Sequence, residues 1–340
     1  MSKIELNLES KKDLYINGAK SILPLIKLSS LISFGDPKNI TSAEIELSTR
    51  NELIEPFIES DKTSKFIHYT DIHSFCEIIN SKHFRMYNCD NLNDPKEIEY
   101  GLKKFDLTLT AKQIEQYKRS HFVFSSCKYN DDNSDDFNMW RFYGNNGNGV
   151  GIVFSLEFDN DDYQSEGIYV GDVNYGNENE KLNQFKKYIQ FHNAFNLEYE
   201  LFKNTPNLFP LISGFFKDDI WKIENESRIF STCYIDEFGE IDHNIISNNF
   251  NTYLKETIES SINKNGKKVF YMKLPLKSIN QNEENLAEHN KLPKIKIEKV
   301  ILGYVLPEST KNLVDDFINM NFYKKYGYQI TIENSKIFND

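Results

Sequence analysis

Cysteine is scarce and poorly spaced for cross-linking. The four residues, Cys76, Cys89, Cys127 and Cys233, include no C-x-x-C pair. A disulfide framework is therefore not indicated, and free, mostly buried thiols in a reducing cytosol are expected. No uninterrupted apolar run approaches the ~20 residues of a membrane span, so a membrane partner is not expected. The opening stretch, Met1 to Asp13, is charged and lacks an apolar core, which argues against a secretory signal and for a soluble, cytoplasmic protein. Positive charge is in deficit, with 40 Lys and Arg against 51 Asp and Glu and a formal net charge of −11. Such a field weakens attraction to phosphate backbones and disfavours broad nucleic-acid binding, while leaving room for a local basic groove. No internal repeat recurs at a fixed period, so a repeat array is excluded.

Large rings are plentiful. The 340 residues are 39% hydrophobic and 14% aromatic, with 26 Phe and 19 Tyr, enough to fill a sizeable core and to exclude wholesale disorder. The length suits one large domain with an accessory segment. Residues 1–60 read as a partly helical N-terminal extension: Ile16 to Phe34 is mildly apolar, and Gly35-Asp36-Pro37 breaks it. Residues 61–340 read as the main domain, with a polar insertion near 279–292. Phe66 to Tyr69 is strand-like, and Ile72, Phe75, Cys76 and Ile79 follow one helical face behind Thr70 or Asp71 as N-cap. Thr110 can cap a short helix ending near Arg119. Strands are expected at Phe122–Cys127, Val150–Phe154, Gly167–Tyr175, Ser227–Tyr234, Val269–Leu276, Lys296–Leu306 and Tyr328–Ile332. Helices are expected around Met139–Tyr143, Lys181–Phe202, Leu208–Asp218 and from Pro307 to about Tyr326. Strands and helices mix without strict alternation, giving an α+β fold on a central mixed, largely antiparallel sheet with flanking helices.

The most informative segment is Phe66 to Glu97. His68-Tyr69-Thr70 places a ring nitrogen, a phenol and a hydroxyl where a strand meets a helix, and backbone N–H groups at a helix start favour anionic groups such as phosphates. A lone histidine at a strand end is also a common structural group. His68 and His73 are not at the i, i+4 spacing of a zinc motif, so no metal site is indicated. Asn93-Asp94-Pro95 makes an Asx-type turn whose side chains either serve the turn or face the His68 pocket. Ser125 and Ser126 end an apolar strand and can satisfy edge backbone groups. Trp140 and Tyr143 share a helical face. Gly147-Asn148-Gly149-Val150-Gly151 precedes a strand, so a tight turn fits better than a phosphate loop. If extended, Glu224 and Glu226 share one face with Arg228, and Arg228 is then the cation that relieves the carboxylates' repulsion.

In this order, Phe66-Ile67-His68-Tyr69-Thr70, Asn93-Asp94-Pro95-Lys96-Glu97, Phe124-Ser125-Ser126, Met139-Trp140-Arg141-Phe142-Tyr143, Gly149 to Phe154, Trp221 to Arg228 and Val300-Ile301-Leu302-Gly303 form a set. That set resembles a large bacterial family catalogued as domain of unknown function twenty-nine seventy-one, over roughly Phe66 to Gly303. Its members are often found in phage-defence or mobile-element neighbourhoods, and the resemblance implies such a role. A more distant likeness is to ADP-ribosyltransferases of the His-Tyr-Glu type, which implies a fold of that kind with NAD as substrate. By position, the likeness implies that His68 binds the adenosine ribose with Tyr69 and Thr70 beside it. Ser125 and Ser126 would line the cleft, and Tyr69 or Tyr143 would serve as the second aromatic. Glu226 would be the catalytic carboxylate, Glu224 would orient the acceptor, and Arg228 would lie alongside. The expectation is an intracellular effector that transfers ADP-ribose or cleaves NAD, with a protein or nucleic-acid acceptor. One alternative is a non-enzymatic sensor of a nucleotide or phage component. Another is a metal-dependent nuclease using Asp94, Glu97 and late acids.

Overall fold

The computed structural model describes residues 8–23, 32–33, 43–44, 64–92, 94, 96–131, 135–158, 168–176, 180–199, 212–240, 254, 257–263, 266–278 and 292–337. The polar insertion falls almost wholly outside them. In chain order the elements begin with α1 (Leu8–Ile22), β1 (Ile32–Ser33), β2 (Ala43–Glu44), β3 (Lys65–Thr70), α2 (Ile72–Ser81) and β4 (His83–Asn88). Next come α3 (Glu97–Lys104), α4 (Ala111–Ser120), β5 (His121–Tyr129), α5 (Phe137–Phe142), β6 (Val150–Glu157), β7 (Ile168–Asp172) and β8 (Asn174–Tyr175). The remainder are α6 (Glu180–Tyr199), β9 (Phe216–Lys217), β10 (Glu226–Thr232), β11 (Ile258–Ile262), β12 (Lys268–Pro275), β13 (Lys294–Leu302), α7 (Glu308–Tyr326) and β14 (Thr331–Asn334). The fold is α+β. No helix among the described residues is long and apolar enough to cross a membrane.

Local signals account for many element ends. Asp71 caps α2, its carboxylate accepting the Ser74 backbone N–H at 2.7 Å. Thr110 and Gln113 cap α4 reciprocally: the Gln113 N–H donates to the Thr110 hydroxyl, and the Gln113 side chain accepts the Thr110 N–H. Asp136 caps α5 through the amides of Asn138 and Met139. α7 starts directly after Pro307 and stops at Gly327, which adopts φ +80°.

Contacts divide the chain into two units. The first comprises Met1–Glu59, Lys96–Ile114 and Asn174–Asp219. Within it α1 packs on α6, where the buried Tyr15 hydroxyl meets the Tyr188 hydroxyl at 2.7 Å and His192 Nδ1 at 2.9 Å. Glu97 and Lys217 form a buried ion pair at 3.5 Å, so Glu97 is more than a helix-start charge. The helix expected across Leu208–Asp218 is corrected at its end: Ile212 and Ser213 are helical, but Phe216 and Lys217 pair in parallel with β8.

The second unit comprises Ser60–Pro95, Glu115–Val173 and Ile220–Asp340. It holds a ten-stranded sheet in the order β11-β12-β4-β5-β3-β6-β13-β14, with β10 on the other edge of β5 and β7 beyond it. All pairings are antiparallel except β13 with β14. One face carries the large core, including Phe66, Phe84, Phe124, Phe154 and Ile229, with Phe75 of α2 and Phe322 of α7. The other carries a smaller cluster of Ile67, Tyr69, Met139, Trp140, Val153 and Ile301. The glycine stretch before β6 is a turn. Gly147 has φ +82°, and a Cβ on Gly149 would lie 2.1 Å from the Thr70 carbonyl oxygen, an approach open only to glycine.

Candidate functional site

The site is built around an opening in the sheet. β10 follows one edge of β5 from Glu226 opposite Cys127 to Thr232 opposite His121. The other edge is shared. β3 pairs with Tyr129, Lys128 and Cys127, and β4 with Val123 and Phe122. Phe124, Ser125 and Ser126 pair with neither strand there, because β3 beyond Ile67 follows β6 and β4 before Tyr87 follows β12. Ser125 is consequently exposed in the middle of a central strand.

His68 lies at this opening. Its half-buried ring sits 5.0 Å from Phe124 and edge-on to Phe84 at 5.6 Å. Its Nδ1 is 3.3 Å from the Ser125 carbonyl, and since a carbonyl only accepts, Nδ1 carries the proton. Burial lowers the imidazole pKa to about 4, against a smaller raising effect of the Ser125 bond. The folded chain therefore holds this ring neutral across a range where an unfolded chain, with a pKa near 6.5, binds a proton. Its contribution to stability is complete above the unfolded value and drains away as the pH falls from about 6.5 toward 4. Urea midpoints should decline over that window, and His68→Phe should flatten the decline. An identical slope in the variant would refute this assignment.

The carboxylates are arranged differently from the extended run expected of them. Asp219–Glu224 is a 3₁₀ turn, Asn225 takes φ +42°, and the strand begins only at Glu226. Asparagine tolerates that conformation better than other side chains with a Cβ. The kink sends the two acids to different partners. Glu226 receives both Nε and a terminal nitrogen of Arg228, at 2.7 and 3.0 Å, and the two side chains are 5% and 2% exposed. Glu224, also buried, accepts the Tyr143 hydroxyl at the end of α5. The Tyr143 phenol pKa is pushed far up by burial, then by Glu224, with further contributions from Glu226 and Cys127. These groups thus form one cluster. Tyr69 stands edge-on to Trp140 at 4.9 Å, and its phenol pKa is likewise raised, first by burial and then by Cys127.

Strand alternation separates this cluster from His68. Glu226 and Arg228 are in register with Cys127 and Ser125, on the face of Ile67 and Tyr69. His68 projects with Phe66 toward Phe124, on the other face. The expectation of His68 and the two glutamates meeting in one crevice is corrected accordingly. Ser126 belongs to the His68 side, its hydroxyl donating to the Ser227 carbonyl at 3.3 Å. Ser125 joins the two sides, its carbonyl bonded to His68 and its side chain on the face of Arg228. Thr70 is buried at the end of β3, Asp94 is half-buried, and Asn93 lies outside the described residues. Among the described residues no group of three or more His, Cys, Asp or Glu is placed to hold a metal ion.

β4 lies outside the strands expected from apolar runs. Its pattern His83-Phe84-Arg85-Met86-Tyr87-Asn88 alternates with period two and signals a strand. Phe84 and Met86 enter the large core, so Arg85 and Tyr87 share the face of Ser125, with Tyr87 in register with Val123.

The acid cluster lies within a stretch that a family model matches. The family model described as Protein of unknown function (DUF2971) matches residues 139–229. That stretch contains Trp140, Tyr143, β6, β7 and the run from Glu224 to Arg228, and it leaves out β3 and β4. No curated protein and no solved structure matches the chain. None of these findings points to ADP-ribosyltransferases.

Proposed function

We propose that the chain consumes NAD, cleaving the nicotinamide–ribose bond and passing ADP-ribose to water or an acceptor, with Glu224 as the acting carboxylate. The observation that carries this reading is the buried Tyr143–Glu224 pair beside the fixed Glu226–Arg228 pair, on the face where β5 is open at Ser125. In such a cleavage the C1′–N bond breaks and its electron pair stays with nicotinamide, which leaves neutral. C1′ becomes cationic until water or an acceptor oxygen bonds to it and loses a proton. A carboxylate near the ribose stabilises that cation most where water is excluded. Glu226 has both oxygens engaged by a guanidinium and suits a supporting role. Glu224 is oriented by the Tyr143 hydroxyl. A phage-defence role belongs to the same proposal and rests on the family resemblance.

The test is free nicotinamide, measured by chromatography after the full chain is incubated with NAD. Glu224→Gln should reduce its release by about 10²–10³-fold, the range for removing an electrostatic stabiliser. Absence of release from the wild type, or unchanged release from the variant, overturns the proposal. The pairing of both acids favours a second reading, a nucleotide-binding module without turnover. Calorimetric binding of ADP-ribose with no nicotinamide release would select it.

A further inference from the structure

We infer that Arg85 on β4 is an anchor for the phosphates of a nucleoside diphosphate. The inference rests on the reading above only for its choice of ligand, and binding alone tests it. Arg85 is exposed, yet its guanidinium is not loose. It lies 4.8 Å from the centre of the Tyr271 ring, and a terminal nitrogen reaches the Tyr87 hydroxyl at 3.5 Å. Tyr271 is itself fixed, its hydroxyl donating to Glu259 at 2.8 Å and its ring packing against Tyr87 at 5.7 Å. Neighbouring charges are accounted for: Lys273 pairs with Glu259, and Glu77 acts on Arg85 through space.

The contrast with other arginines is informative. Arg119 is bonded to Glu115 and Arg228 to Glu226, while Arg141 lies over the single ring of Phe137 at 5.7 Å. Arg85 has tyrosines in those places and no carboxylate partner among the described residues, in a chain with an excess of acids. A guanidinium pinned by rings keeps its fork of N–H donors oriented toward solvent, and that fork matches phosphate oxygens. Its position gives the ligand its identity. Arg85 and Tyr87 lie on the same face as Ser125 and the acid cluster, and Tyr87 faces Val123, two residues from Ser125. A ligand reaching from the acids toward β4 along the open edge therefore meets phenol rings and a cation. A sugar joined to a diphosphate and a base has groups for both ends.

Calorimetry with ADP on the full chain provides the test. Arg85→Met should weaken ADP binding by on the order of tenfold or more, as expected for a lost charged hydrogen bond, and Arg85→Lys should recover part of it. Arg119→Met should leave binding unchanged, and adenosine should bind far more weakly than ADP. Undetectable ADP binding, equal affinity in Arg85→Met, or Arg85-dependent binding of a single-stranded oligonucleotide in place of ADP would each overturn the inference. Glu224→Gln separates the two proposals: nicotinamide release should fall by about 10²–10³-fold, while the further loss of ADP affinity on Arg85→Met should persist in the Glu224→Gln background. Arg85-dependent ADP binding without any NAD cleavage would sink the catalytic reading alone. NAD cleavage with ADP binding indifferent to Arg85 would sink this one alone.

Discussion

Arg228→Met should lower folding stability by about 3–5 kcal/mol, the range for removing one partner of a buried ion pair. The side chain is 2% exposed and binds Glu226 through two nitrogens. Methionine fills much of the space but leaves a carboxylate in a strand whose seven residues are all buried. The penalty comes mainly from that stranded charge, so the double variant Glu226→Gln/Arg228→Met should recover a large part of it. Urea denaturation of the two single variants and the double variant forms the cycle that checks this. A single-variant loss below about 1 kcal/mol, typical of a surface pair, would mean that water reaches the pair.

Trp140→Ala should destabilise by a similar amount, about 3–5 kcal/mol, as for other buried aromatic truncations. The indole is fully buried between Tyr69 at 4.9 Å and Tyr304 at 6.4 Å. Its N–H donates to Asp135, which also accepts the Ser335 hydroxyl at 2.9 Å. Truncation therefore opens a cavity and removes one donor from a half-buried carboxylate. Tyr143 follows one turn later, so the variant should also loosen the phenol that holds Glu224. Denaturation midpoints measure the first effect, and Trp140→Phe should recover part of the packing term. A loss near zero in Trp140→Ala would show that neighbouring side chains collapse into the space.

What could be read in the sequence was mostly local. The helix after β3 follows from the spacing of Ile72, Phe75, Cys76 and Ile79 with a capping carboxylate at Asp71. The caps at Thr110 and Asp136 and the start at Pro307 are side-chain signals a few residues long. Most strands of the sheet appear as apolar runs near their true ends, but the run to Phe154 stops three residues short of Glu157, the run to Leu306 overshoots Leu302 by four and Tyr328 precedes Thr331 by three, while β4 and β11 lie outside the expected runs. Which face each strand presents was not legible, because long-range register decides it. His68 and Glu226 each sit at a recognisable place in their own strands. Only the pairing of Ile67 and Glu226 with the same Cys127, from opposite edges of β5, fixes His68 on the other side. The Glu224–Glu226 spacing misled for a related reason. Asn225 at φ +42° turns a run that reads as extended into a corner, and the Tyr143 hydroxyl that rewards the corner lies 81 residues away.

β10 is flanked by β5 on one edge and β7 on the other, and all seven of its residues are buried. Amide hydrogens along such a strand exchange with solvent chiefly when the whole unit opens. Glu226 and Arg228 thus ride on a slow-exchanging rib and keep their places through the motions that rearrange loops. Whatever docks on this face must adapt its own shape to them.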